Sequence, residues 1–272
     1  MPLTDNRWGK SEVRVSKLLR GRDADDFVDV SVSVLLRGDV AAAHTEGDNA
    51  NVLPTDTMRN TIYALAQDHL TDDLEGFAEV LAHHFLGRET VDETDITISQ
   101  KMWQRGSPTG FLGGGSERRI ARVVRDTAGS SRVAGLEGLV VLKTRGSAFT
   151  GFPTDEFTIL PETEDRLLAT SISAEWTYPS LPAETTRTWN LVRSTLLHAF
   201  FEDWSASVQH QGYLMGQAVL AAVPEASEIS FRLPNQHHLP FDLTRFGMTW
   251  DDTVFHPVSE PFGDIYLTVT RD

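Results

Sequence analysis

The chain has no cysteine, so neither a disulfide nor a thiolate-held metal can belong to its design. It also lacks any run approaching the roughly 18 apolar residues that a membrane-spanning helix needs. The opening Met-Pro-Leu-Thr-Asp-Asn-Arg lacks the apolar centre of a secretory signal. These absences lead to the expectation of a cytoplasmic protein with no membrane partner. Basic residues are few: 24 Lys and Arg stand against 39 Asp and Glu, for a formal charge of −15. So acidic a chain is not expected to bind nucleic acid, which requires basic surface. Its acidity serves solubility, and any anionic ligand must be held by local cations against the overall field.

What is present is an ordinary globular composition: 272 residues, 40% hydrophobic and 23% charged, enough for one large core or two modest ones. Residues 12–20 and 27–36 read as strands, the second placing Val28, Val30, Val32, Val34 and Leu36 on one face. Ala41-Ala42-Ala43 turns polar at His44 and reads as a connection. Residues 55–68 carry helix formers behind Thr55 and Asp56, with Thr55 a natural N-cap. Leu74, Phe77, Leu81, His84 and Phe85 recur at helical spacing and predict a second helix over 72–87. Strand patterns return at 93–103 and 117–127, with Gly113-Gly114-Gly115 read as a flexible hairpin loop.

The plan then repeats. Strand-like runs at 137–144 and 166–178 precede helix-like stretches at 184–202 and 208–223, followed by strand-like runs at 227–233 and 263–270. The expected fold class is therefore α+β: two tandem ββααββ units, 1–130 and 131–272, each an antiparallel four-stranded sheet with two helices. The break falls near Ala128-Gly129-Ser130-Ser131. An open four-stranded sheet leaves two edges that must be blunted or paired.

Several segments stand out by type and order. Leu142 to Arg166, LKTRGSAFTGFPTDEFTILPETEDR, puts Phe149 and Arg166 into one turn-rich connection between strand-like runs. Upstream lie Trp8-Gly9-Lys10-Ser11-Glu12-Val13-Arg14-Val15, and Gly47-Asp48-Asn49 running on to Pro54-Thr55-Asp56-Thr57. Downstream come Ser207-Val208-Gln209 and Leu233-Pro234-Asn235-Gln236-His237-His238. Taken singly, each has a plain reading. Arg166 could pair with Asp165 or Glu164, Phe149 could pack beside Phe152, Gln209 could be an exposed helix residue, and Asn235 could serve a turn after Pro234. Lys10, like most lysines, could be a surface solubiliser.

Together, and in this order from about residue 8 to the C-terminus, the segments resemble the urate oxidase family. The resemblance implies a pair of tunnelling-fold units per chain, assembled as a homotetramer around a central tunnel. It implies oxidation of urate by dioxygen and water to 5-hydroxyisourate and hydrogen peroxide, with no metal or flavin cofactor. Arg166 and Gln209 would grip opposite edges of the purine, Phe149 would stack on it, and the main-chain N–H groups of Val208 and Asp56 would face it. Lys10, Thr55 and His237 would form a proton relay, Thr55 also touching the substrate, and Asn235 would hold oxygen or water above the ring. Thr55 and Asp56 would come from one subunit and Phe149, Arg166, Val208 and Gln209 from its neighbour. Ile159 and Gln236 depart from residues frequent in the family, a threonine and a lysine, but neither is among the residues given chemistry above. The closing Val-Thr-Arg-Asp is not the peroxisomal Ser-Lys-Leu address, which leads to the expectation of a bacterial cytoplasmic form. Two rivals are another purine- or pterin-handling enzyme of the same fold and a non-catalytic purine-binding scaffold.

The paired histidines His83-His84 and His237-His238 diverge too far to chelate one ion, whether on helix or strand. The glycine run lacks the Gly-Lys-Ser/Thr ending of a phosphate loop.

Overall fold

A computed structural model describes residues 3–249 and 251–271; Asp272 of the C-terminal reading, and Met1 and Pro2 of the N-terminal one, lie outside them. The chain divides into two compact units, one of residues 1–136 with 176–190, the other of 137–175 with 191–272.

The first unit begins with β1 (Trp8–Leu19), β2 (Asp26–Gly38), the short α1 (Ala41–Thr45), α2 (Thr55–His69) and α3 (Leu74–Leu86). It continues with β3 (Val91–Arg105) and β4 (Phe111–Asp126). The strands pair antiparallel in the order β1-β2-β3-β4. The alternation in β2 works as read: Val28, Val30, Val32, Val34 and Leu36 are each at most 2% exposed. With Val13, Val15, Ile96, Ile98, Ala121 and Val123 they form one apolar sheet face. Against that face pack Met58, Ile62 and Ala66 of α2 and Leu74, Phe77, Leu81 and Phe85 of α3. Each fully buried large side chain contributes about 1.5–3 kcal/mol, so the apolar periodicities themselves select this layering.

Four local expectations are corrected. Ala41-Ala42-Ala43, read as a connection, opens the short helix α1. Thr55 does not cap α2. It is the first helical residue, and the cap position falls on Pro54, which makes no side-chain cap bond. Helix α3 does carry a side-chain cap, the Asp73 carboxylate accepting the Gly76 N–H at 2.9 Å. Lys10 does not precede the first strand but lies inside β1, opposite Val34 and just before a bulge between Lys10 and Val13 in which Glu12 takes φ 58. Gly113-Gly114-Gly115 is not a loop. It lies in β4, where a Cβ on Gly114 would meet the Met102 carbonyl oxygen at 2.4 Å, so Gly114 serves close strand approach. The hairpin turn is formed upstream, where the N–H groups of Gly106 and Ser107 donate to the Gly110 carbonyl.

The first compact unit takes in residues 176–190 because later aromatic and polar residues bind into it. The Trp189 indole donates to the Gly135 carbonyl at 2.8 Å, the Thr185 hydroxyl donates to Asp73 at 2.7 Å, and Trp176 donates to the Tyr178 hydroxyl at 2.7 Å. The elements β5 (Ser130–Lys143), β6 (Leu168–Tyr178) and α4 (Thr185–Glu202) are therefore cut by the division.

In the second unit, β5 and β6 are followed by α4, α5 (Val208–Ala222), β7 (Glu228–Pro234), β8 (His237–Pro240), β9 (Phe255–Val258) and β10 (Asp264–Thr270). The main strand order is β5-β6-β7-β10, and β8 and β9 form a separate two-stranded antiparallel ribbon. The ribbon was absent from the sequence reading, since its four-residue strands fall below the length at which alternation can be recognised. Helix α5 lies on β7 and β10 through a small-residue stripe: a Cβ on Gly212 would approach Leu267 to 2.7 Å, and one on Gly216 would approach Val269 to 2.5 Å. Its opening turn is fixed by Ser207, whose side chain accepts the His210 N–H at 3.1 Å.

Candidate active site

In the first unit, the Trp8 indole donates to the Leu53 carbonyl at 3.1 Å. This bond ties the start of β1 to the chain entering α2, so the segments carrying Lys10 and Thr55 are held beside one another. Lys10 and Thr55 are half-buried. A bulge beside Lys10 is the kind of irregularity that re-aims a side chain out of strand register. Asp56 is exposed, and its carboxylate is engaged by Arg59 at 2.7 Å and by Asn60 at 3.0 Å. What it can still offer is its main-chain N–H, one of the orphan donors of a helix start.

In the second unit, the connection between β5 and β6 folds back on the segment ahead of α5. Ser147 bridges Ser205 in parallel fashion, the Ala148 N–H donates to Ser205 O at 2.8 Å, and the Arg166 N–H donates to Ser147 O at 2.7 Å. This knot sets Arg166 and Phe149 together, the guanidinium carbon 5.2 Å from the ring centroid. Phe152 stacks on Phe149 with centroids 4.9 Å apart and an 18° tilt, bracing that ring. Among the described residues Arg166 makes no ion pair. The plain reading is overturned, since Asp165 instead accepts the Gly146 N–H at 2.7 Å. Its Nε is buried with no hydrogen-bond partner, as are the hydroxyls of Ser147 and Ser205. Burial alone lowers the guanidinium pKa from its usual value, the sign of a cation removed from water with no carboxylate to offset it. Val208, at 4% exposure, and exposed Gln209 open α5 beside this knot. The first N–H groups of a helix have no partner inside it and favour an anion.

Beyond β7, Asn235 and His237 stand together, their side chains 3.4 Å apart. The Asn235 N–H donates to Gly263 O, and the Gln236 N–H to Ala169 O, both at 2.8 Å. These residues line a cavity of about 590 Å³ with Arg232, His238, Pro257 and Phe262. On the rim, Arg232 holds Asp264 through two bonds of 3.0 Å. That contact raises the arginine pKa and lowers the aspartate's.

Lys10, Thr55 and Asp56 thus lie in the first unit, and the remaining expected site residues in the second. Among the described residues, no group of three or more His, Asp or Glu side chains could hold a metal ion. No helix there is long and apolar enough to cross a membrane. Reading the sequence missed Ser147 and Ser205, which form the arginine knot, and the buried pair Lys143 and Gln211 nearby in the chain. The signal was present for Lys143: Leu139, Val141 and Lys143 alternate inward on β5, placing a lysine where the period of two demands an interior residue.

Two ββααββ units, one holding a desolvated arginine over a phenylalanine beside a helix start, define an α+β enzyme of the tunnelling-fold type. The family model of uricase matches residues 6–124 and 132–266. The uricase of Arthrobacter globiformis is 39% identical over 272 residues, covering 99% of this chain and 90% of that protein. A crystal structure of uricase from the same organism superposes with a TM-score of 0.96 at 40% identity, covering all of this chain and 96% of the other. The uricase of Dictyostelium discoideum is 34% identical, with 99% of this chain and 97% of that protein covered. The chain belongs to the uricase family, the urate-oxidising oxidoreductases of purine catabolism.

Proposed function

We propose that this protein oxidises urate with dioxygen and water to 5-hydroxyisourate and hydrogen peroxide, without metal or flavin. The observation that carries the reading is Arg166: a desolvated guanidinium with a buried, unpartnered Nε, laid over Phe149. Guanidinium offers donors in a planar fork that suits adjacent carbonyl and nitrogen acceptors. A flat anion coplanar with that fork lies in a layer above the Phe149 ring, where aromatic contact adds about 0.5–1.5 kcal/mol. The Val208 N–H and the Gln209 amide bind the opposite edge, and Thr55 with the Asp56 N–H completes the grip.

The chemistry then needs little more than a path for protons. Lys10 and Thr55 accept a proton from the urate anion, with His237 supporting the lysine. Two electrons pass from the ring to dioxygen, giving peroxide. Water held by Asn235 adds as hydroxide to the oxidised ring and gives its other proton to the peroxide, which takes its second proton from the relay of Lys10 and Thr55. Urate, O₂ and H₂O thereby balance 5-hydroxyisourate and H₂O₂.

The sequence repeats 1–130 and 131–272 serve as tandem tunnelling-fold halves of a cytoplasmic homotetramer. In it, Thr55 and Asp56 of one protomer meet the Arg166 pocket of its neighbour. The test is urate absorbance followed together with peroxide, in air and without added metal. Lys10→Met and Thr55→Ala are expected to lose both signals while still binding xanthine, a purine that cannot serve as substrate. Undiminished turnover in Lys10→Met would remove the relay.

A further inference from the structure

Lysine is scarce in this chain, occurring only as Lys10, Lys17, Lys101 and Lys143. Two of these do the same local job. From β1, Lys17 donates to the carbonyls of Ala66 and Gln67 near the end of α2, at 2.9 and 2.7 Å. From β5, Lys143 donates to the Asp203 carbonyl at the end of α4, at 2.7 Å. A cation at a helix C-terminus satisfies orphan carbonyls and complements the helix dipole, and nothing more is needed to explain Lys17.

Lys143 is different. It is 7% exposed, among the described residues its ammonium makes no ion pair, Asp203 and Asp165 acting on it only from farther off, and its second acceptor is the neutral Gln211 Oε1 at 2.6 Å. Gln211, 1% exposed, in turn donates to the Ala199 carbonyl at 2.9 Å. Phe200 lies 5.5 Å away, ring centroid to ammonium. A buried ammonium whose hydrogen bonds go to neutral groups is costly, and burial depresses its pKa against the weaker pull of Asp203 and Asp165. An apolar side chain of similar length would serve the core better, so stability alone does not account for it.

Its position accounts for it. Lys143 and Gln211 join the end of β5, the end of α4 and the first turns of α5 into one buried node. Four residues beyond Lys143 is Ser147, which carries Arg166 through its carbonyl, and two residues beyond Asp203 is Ser205, the other half of the knot. Two residues before Gln211 is Gln209.

Resting on the reading of Arg166, Val208 and Gln209 as the urate grip, we propose that Lys143 and Gln211 are positioning residues. From the buried side they set the spacing between the arginine fork and the start of α5, the two edges that hold the purine anion. Neither touches substrate, and the buried charge adds a second cation behind an anion site in a protein of net charge −15.

The experiment compares KM and kcat for urate, affinity for xanthine, and melting temperature in the full-length assembled enzyme. Lys143→Met is expected to raise KM and weaken xanthine binding about tenfold or more, the equivalent of one lost charge-assisted hydrogen bond, with kcat within about threefold. Because the single variant leaves Gln211 without a donor, the double variant Lys143→Met/Gln211→Met is the decisive one. It is expected to regain melting temperature without regaining KM. Lys17→Met removes a comparable cap elsewhere and is expected to leave KM unchanged. The proposal is overturned if the double variant binds urate and xanthine like the parent, or if Lys17→Met raises KM equally. Arg166→Met separates the two levels: raised KM there with unmoved Lys143 variants sinks this inference alone, whereas unmoved KM in Arg166→Met sinks the site reading beneath it.

Discussion

Replacing Arg166 by Met should move stability and function in opposite directions. In the ligand-free protein the guanidinium is desolvated, no carboxylate compensates it among the described residues, and its Nε is buried without an acceptor. A buried unsatisfied donor costs about 1–3 kcal/mol. Part of this head group still reaches water, so the low end applies, about 1 kcal/mol. Methionine fills much of the same space without the donor, and for a chain of this size that energy raises the melting temperature by about 2–4 °C.

Substrate binding should suffer far more. Two charge-assisted hydrogen bonds, each about 1.5–3 kcal/mol, amount to about 3–6 kcal/mol of lost interaction. At about 1.4 kcal/mol per decade that predicts a KM or xanthine dissociation constant raised about a hundredfold to ten-thousandfold. Lysine at the same position keeps the charge but not the fork and should fall between. Initial rates of urate loss over a wide substrate range, paired with thermal melts of the apo protein, read both effects. A KM within threefold of the parent would refute the anion role, and a lowered melting temperature would refute the desolvation argument.

Gly216→Ala tests how α5 is seated. The new Cβ would stand 2.5 Å from Val269 Cγ2 and 3.0 Å from its Cβ, against a β-branched side chain with little rotamer freedom. Overpacking of about 1–3 kcal/mol, offset by about 1 kcal/mol of helix propensity, leaves a net loss of about 1 kcal/mol in urea denaturation. An unchanged midpoint would show that β10 yields easily. Lys143 also predicts a pH dependence. Its folded pKa is depressed by burial below the ordinary 10.5, with Asp203 and Asp165 opposing, so between the two values the unfolded chain binds more protons. The desolvation cost is present in full below the folded value and fades as pH rises through it toward 10.5, making the native state gain stability with alkalinity. Denaturation midpoints measured from neutral to alkaline pH should show this slope in the parent and lose it in Lys143→Met; identical slopes would refute it.

The order of elements was written in the sequence because burial imposes period. The inward valines of β2 and the helical spacing from Leu74 to Phe85 each admit one way to hide their apolar face, and the ββααββ order followed from them. The cap on α5 has a local cause too, a serine whose side chain reaches the N–H three residues on. Tertiary structure decided what depends on partners distant along the chain. Nothing beside Arg166 in sequence announces that Asp165 turns away to Gly146, leaving the guanidinium without an ion pair among the described residues. The bulge that interrupts β1 after Lys10 and the close approach of Gly114 to Met102 are set by neighbouring strands, and the ribbon of β8 and β9 is too short to declare itself. Residue order fixed which faces had to be buried; long-range contacts alone determined which buried polar groups were left without a partner and so available to a ligand.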